Sequence, residues 1–214
     1  MFKQKLRSDG NMDKEYYDCL KDKFSHGTDD AKRLFTKYAS GDSIENAVYE
    51  NTAHYNTKTK KISMNYGADL KNPRGAGATW FHEHGHLVDD LAGNLSDDKN
   101  FIQLLESDSL SYRIAYGKAH HLGTFDKVDK AISEELGDMR KDSAISDLFD
   151  GVTQGNIIGC ASHPKEYWKN RDNVTSEAFA HMFEAQFDKK RYEQKKKYFP
   201  NALEKLKKKM KEAL

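Results

Sequence analysis

Two imidazoles, His82 and His86, stand four residues apart, and a carboxylate, Glu83, directly follows the first. On a helix, residues four apart share one face at about one turn's separation. Both rings can then reach a single ion in a tetrahedral zinc site. Glu83 falls beside such an ion and not on it, where it can take a proton from an attacking water. His84 and Gly85 fall on other faces, which makes His84 a packing or surface residue.

A catalytic zinc needs a third protein donor and an open position. The stretch Val174-Thr175-Ser176-Glu177-Ala178-Phe179-Ala180-His181-Met182-Phe183-Glu184 offers one. Thr175 or Ser176 can cap a helix there, Glu177 follows at once, and Ala178 and Ala180 are small enough for close helix packing. His181 lies one turn after Glu177 and Glu184 about two turns after it, so the same face offers further ligands or an outer acceptor for a ligand histidine. Taken alone, Glu177 is equally a helix-dipole residue near an N-terminus, with Phe179 and Phe183 as core. Asp89 and Asp90, three and four residues after His86, can accept the second ring N–H of a ligand histidine or end a solvated acidic stretch.

The elements that must carry these groups are mostly helices. Met12–Phe24 and Asp29–Ala39 read as short helices, the second with Thr28 as N-cap and Gly41 beyond its end. Thr52–Tyr66 alternates around a polar turn from Asn56 to Lys61 and predicts a hairpin, whose edge can receive an extended peptide. The breaker run Asn72-Pro73-Arg74-Gly75-Ala76-Gly77 leads into the histidine helix near Ala78. Further helices are expected over Asp97–Gly117, Asp126–Phe149, Ser176–Phe187 and Pro200–Ala213, the last with an apolar stripe of Leu203, Leu206, Met210 and Ala213. Gly151–Asn173 is the longest irregular stretch, and such loops are often functional.

The expected class is therefore α+β and predominantly helical, with a small antiparallel sheet or hairpin before the histidine helix. A chain of 214 residues that is 37% apolar predicts one domain over 1–214. It would carry an N-terminal helical segment over 1–42 and a basic C-terminal helix over 189–214. That last segment holds 11 basic residues against 3 acidic ones, read as a solvated helix face. Overall, 35 basic residues nearly balance 34 acidic ones, which argues against nucleic acid as the partner. Cys19 and Cys160 are too few for a disulfide framework and lack zinc-site spacing. The start, Met1 to Asp9, lacks the apolar core of a signal peptide, and no run is long enough to span a bilayer. The chain is expected to be soluble, whether cytoplasmic, phage-associated or exported without a cleaved signal.

The run His82-Glu83-His84-Gly85-His86-Leu87-Val88-Asp89-Asp90-Leu91-Ala92-Gly93-Asn94-Leu95 resembles the zinc helix of anthrax lethal factor-type metallopeptidases, and Glu177-Ala178-Phe179-Ala180 resembles their third-ligand helix. The resemblance covers these two segments. Lys197-Tyr198-Phe199-Pro200-Asn201 is also similar to zinc-peptidase-like regions attached to phage minor head proteins. The separation of His86 from Glu177 is longer than that family shows, which marks 126–159 as an added helical layer. His181 stands where the family has a second acid.

The resemblance implies a zincin-like domain and a gluzincin: one zinc ion on His82, His86 and Glu177, Glu83 as general base, and a tyrosine before the ligand glutamate as oxyanion donor. Tyr167 is the tyrosine available, with His163 an alternative donor, although Tyr167 and Trp168 read equally as packing aromatics. The expected activity is hydrolysis of a peptide or protein substrate, as a general peptidase or as a toxin or effector acting on one host protein. The competing expectation is a non-catalytic, zinc-stabilised structural module of a phage or mobile element. A closed site of four protein ligands, completed by His181 or Asp90, would distinguish it.

Overall fold

A computed structural model describes residues 12–39, 43–46 and 52–214. The expected segment over 1–42 is thus described from Met12 to Ala39, and Gly41 and the Met1–Asp9 start lie outside the described residues. No helix among the described residues is long and apolar enough to cross a membrane.

The described residues are predominantly helical with one small sheet, in the order α1 (Lys14–His26), α2 (Asp29–Tyr38), β1 (Ser43–Asn46), β2 (His54–Asn56), β3 (Lys61–Met64), α3 (Tyr66–Leu70), α4 (Ala78–Leu91), α5 (Lys99–Ala119), α6 (Phe125–Glu135), α7 (Met139–Thr153), a 3-10 turn at Tyr167–Lys169, α8 (Arg171–Ala185), α9 (Lys189–Tyr198) and α10 (Pro200–Glu212). Two compact units are present. The first comprises the described residues up to Leu95 with Phe179–Tyr192 and Lys207–Leu214, and the second comprises Ser96–Ala178 with Glu193–Leu206.

In the first unit, the hairpin forms as the alternation predicts: β2 pairs antiparallel with β3, and Asn56 Oδ1 accepts from the amides of Lys58 and Thr59 in the turn. A third strand is added, because β1 pairs parallel with β3, Ser43 opposite Lys61. β3 is therefore central, and the edges of this described sheet are β1 and β2. Ile62 and Met64 point into the core while Lys61 is exposed. α4 packs on β2 and β3. Its other surroundings are aromatic: Trp80 stacks with Phe35 of α2, and Phe81 stacks at 4.2 Å on Phe187, which also meets Phe24 and Phe183.

The start of α4 is set by a residue of the preceding helix, α3. Its N-cap is Gly77, at φ +81°, with no side chain to accept from the first turn. The buried carboxylate of Asp69, on α3, takes that place: it accepts from the amides of Thr79 at 3.0 Å and Trp80 at 3.2 Å, and from the phenol of Tyr16 at 2.6 Å. The negative charge also suits the positive end of the helix dipole.

In the second unit, the helix expected over Asp126–Phe149 is two helices. The break at Gly137 is followed by Asp138, whose carboxylate accepts from the amide of Arg140 and caps α7. Arg113 of α5 binds Asp129 of α6 through two hydrogen bonds. Asp108 of α5 caps α10 by accepting from the amides of Asn201 and Ala202. Phe149, Tyr198, Phe199 and Tyr112 form its aromatic centre.

The basic segment over 189–214 is likewise two helices, α9 and α10. Pro200 cannot continue α9 and sits where proline is favoured, at the first position of a helix. The solvated-face expectation also needs correction, because Arg191 and Lys195 are buried. Leu203, Leu206 and Met210 are buried as the stripe predicts.

Candidate metal centre

On α4, the helical period separates the histidines as expected. His84 is fully buried; its Nδ1–H donates to the Trp80 carbonyl at 2.6 Å and its ring packs on Trp80 and Phe35, so it is a packing residue. Gly85 lets α4 approach α8 at Ala180. A Cβ there would lie 2.7 Å from Ala180 Cα, closer than any side chain tolerates. This approach sets the ring of His82 against that of His181 on α8, with centroids 4.4 Å apart. His86, half-buried, stands edge-on to His82 at 4.9 Å.

Glu184, two turns after Glu177 on α8 and 3% exposed, faces both rings. Its Oε2 is 3.6 Å from His181 Nδ1 and 3.9 Å from His82 Nδ1, within ion-pair range. Arg74 donates to the same oxygen at 3.0 Å, and Arg191 Nε lies 3.6 Å from Oε1. Burial by itself pushes the Glu184 carboxyl up, but Arg74, the adjacent His181 ring and Arg191 together hold it well below the usual carboxylate range. A carboxylate against the Nδ1 edge of an imidazole fixes the ring and turns its Nε2 edge toward a metal. Glu184 Oε2 faces the Nδ1 edge of both rings. Arg191 also donates to the Arg74 carbonyl, so the two guanidinium groups belong to one buried network.

Glu177 is carried by the same unbroken helix as His181, one turn earlier. α8 begins at Arg171, not near Ser176, so Thr175 and Ser176 are interior residues and not caps; Thr175 Oγ1 instead donates to the Asp172 carbonyl. Glu177 is buried, and its Oε1 accepts from the phenol of Tyr167 at 2.7 Å. Tyr167 lies in the 3-10 turn that ends the irregular segment, which runs over 154–170. The other expected donor, His163, has its Nε2 3.8 Å from Oε1 of Glu177.

His82, Glu177 and His181 are all buried, and their ligand atoms lie within 4.8 Å of one another. Two imidazoles and a carboxylate could hold one metal ion. The donor set suits zinc and is shared by other divalent first-row ions.

The remaining expected residues are placed as follows. Glu83 is buried directly after His82, and Asp89 is buried on the last turns of α4. Asp90 turns to the hairpin, where it accepts from Tyr55 of β2 and Lys60 of the turn, both at 2.5 Å. Sequence reasoning missed Arg74, inside a breaker loop, and Arg191, inside a basic run; neither has a periodic signal. No protein-family model, curated protein or solved structure matches the chain.

Proposed function

We propose that this chain is a zinc-dependent peptidase in which His82, Glu177 and His181 hold the metal and Glu83 is the general base. The observation that carries the proposal is the buried triad, one member of which is directly followed in sequence by a second buried carboxylate. When bound, zinc supplies Lewis acidity, polarising a carbonyl and lowering the pKa of water.

The chain's own residues do the rest. Glu184 keeps the rings of His82 and His181 in one orientation, and Arg74 and Arg191 keep Glu184 ionised. Tyr167 engages one oxygen of Glu177. Glu83 takes a proton from the attacking water and returns it to the leaving amine. The likeness to lethal factor-type peptidases in the α4 and Glu177 segments favours a peptide bond as the one cleaved.

A second reading is favoured by one observation. The four-residue spacing supplies His86 as a donor, yet His181 already stands with His82 and Glu177. If all four bound, the site would be closed and structural, as in a zinc-stabilised phage or mobile-element module. Elemental analysis, X-ray absorption and peptide-library cleavage on wild type and Glu83→Gln separate the two. The peptidase predicts one zinc per chain, an oxygen donor from solvent, cleavage by wild type, and a Glu83→Gln protein that keeps zinc and does not turn over. An inert wild type with four protein donors would establish the structural site instead, and full activity in Glu83→Gln removes Glu83 from its role.

A further inference from the structure

The irregular segment before α8 is pinned by one face of α7. Ser146 Oγ accepts from the amides of Gly159 and Ala161. Asp147, one residue on and buried, accepts from His163 Nδ1 at 2.8 Å, and Asp150, one turn further, accepts from the indole N–H of Trp168 at 2.6 Å. Gly151 makes room for that indole, since a Cβ there would lie 3.0 Å from its ring. Tyr167 sits among these aromatics: His163 stacks on it with centroids 4.4 Å apart and planes 16° from parallel, and Trp168 meets it edge-on at 5.0 Å. Asn173 Nδ2 donates to the Tyr167 carbonyl and holds its backbone.

A carboxylate has two equivalent oxygens until something distinguishes them. Here the Tyr167 phenol takes Oε1 of Glu177. We propose that Asp147 and His163 are positioning residues for the metal centre: Asp147 fixes the His163 ring, the His163 stack holds the Tyr167 phenol on Oε1 of Glu177, and Oε2 becomes the oxygen presented to the metal. His163 then acts through Tyr167, its own Nε2 standing 3.8 Å from Oε1 of Glu177, beyond hydrogen-bond reach. The proposal rests on Glu177 being a metal ligand.

The test is zinc affinity, measured by competition with a chromophoric chelator, with thermal melting of each metal-free protein alongside. Outer groups that orient a ligand typically contribute about 10–100-fold in metal affinity. Tyr167→Phe and His163→Ala should each weaken zinc binding by that order, and His163→Phe, which keeps a stacked ring, should recover most of the loss. Because His163 acts through Tyr167, the double variant His163→Ala/Tyr167→Phe should bind zinc no more weakly than Tyr167→Phe alone. Wild-type affinity in His163→Ala, or fully additive losses in the double variant, overturns the proposal. Glu177→Gln separates the two levels. If it abolishes zinc binding while His163→Ala and Tyr167→Phe bind as wild type, the ligand assignment stands and the positioning role fails; if it binds zinc as wild type, both fail.

Discussion

The imidazoles and the carboxylate of the triad are held by different physics. His82 and His181 face a buried carboxylate flanked by two guanidinium groups, which with His181 hold its pKa well below the usual range. Glu177 is held by a phenol, stacked aromatic rings and ring N–H donors to Asp147 and Asp150. On the first side charge matters, since the buried Arg191 and the largely covered guanidinium of Arg74 both face the Glu184 carboxylate. On the second side the acids are needed mainly as acceptors of fixed direction. A single neutralising substitution should therefore have a large consequence on the first side and a small one on the second.

The largest effect should come from Glu184→Gln. It keeps the shape and leaves Arg74 and Arg191 against a neutral amide, so the metal-free protein should lose about 3–5 kcal/mol in urea unfolding, the range for breaking a buried ion pair. A loss within experimental scatter would erase the contrast.

Gly85→Ala probes the contact that brings the two rings together. The new methyl must displace Ala180 of α8, and overpacking of this kind costs about 1–3 kcal/mol. Because the strain falls on the His82–His181 contact, zinc affinity should fall with stability; a stable Gly85→Ala protein with unchanged affinity would show that the close approach is incidental.

Asp69→Ala should cost about 1–2 kcal/mol, the value of a helix N-cap, and more if the Tyr16 phenol finds no new acceptor. Thermal unfolding against Asp69→Asn, which keeps an acceptor, should show the smaller loss for the amide.

The smallest effect is expected on the aromatic side. Asp150→Asn keeps an oxygen for the Trp168 indole, so stability at neutral pH should move by no more than about 0.5 kcal/mol. Burial raises the Asp150 pKa, with Asp147 adding to it and the Trp168 hydrogen bond and His163 opposing. The folded state therefore holds this proton more tightly than the unfolded chain. Its contribution to stability grows as pH falls from the folded pKa toward the unfolded one and is constant above that window. Urea unfolding across that range should show the trend in wild type and not in Asp150→Asn.

Much of the local structure is legible in the residues. The hairpin follows from alternation around Asn56 to Lys61, and α2 from the first-turn acids Asp29 and Asp30; Thr28 holds the N-cap position, but its hydroxyl donates to Gln186 and does not cap the helix. Gly137-Asp138 is, in hindsight, a stop followed by a cap, but the apolar periodicity runs through it and favours one helix. The early start of α8 hides for a similar reason: Thr175 and Ser176 resemble caps, yet Asp172 and Asn173 continue the helix before them. β1 has no local signal strong enough to announce it, because its pairing with β3 is parallel and joins distant residues. Arg191 and Lys195 look solvated in a lysine-rich run, since burial of a charge depends on what faces it.

The helical period alone places His82 and His86 on one face of α4, Glu83 beside them, and Glu177, His181 and Glu184 along one face of α8, because spacing along a helix is a property of the backbone. Which of these groups meet was decided by tertiary structure. The Gly85–Ala180 approach brings His181 to His82, Arg74 and Arg191 face Glu184, and α7 anchors His163 and Trp168 beside the Tyr167 that donates to Glu177. Partners so far apart in the chain leave no periodic mark, and their geometry exists only once the helices pack.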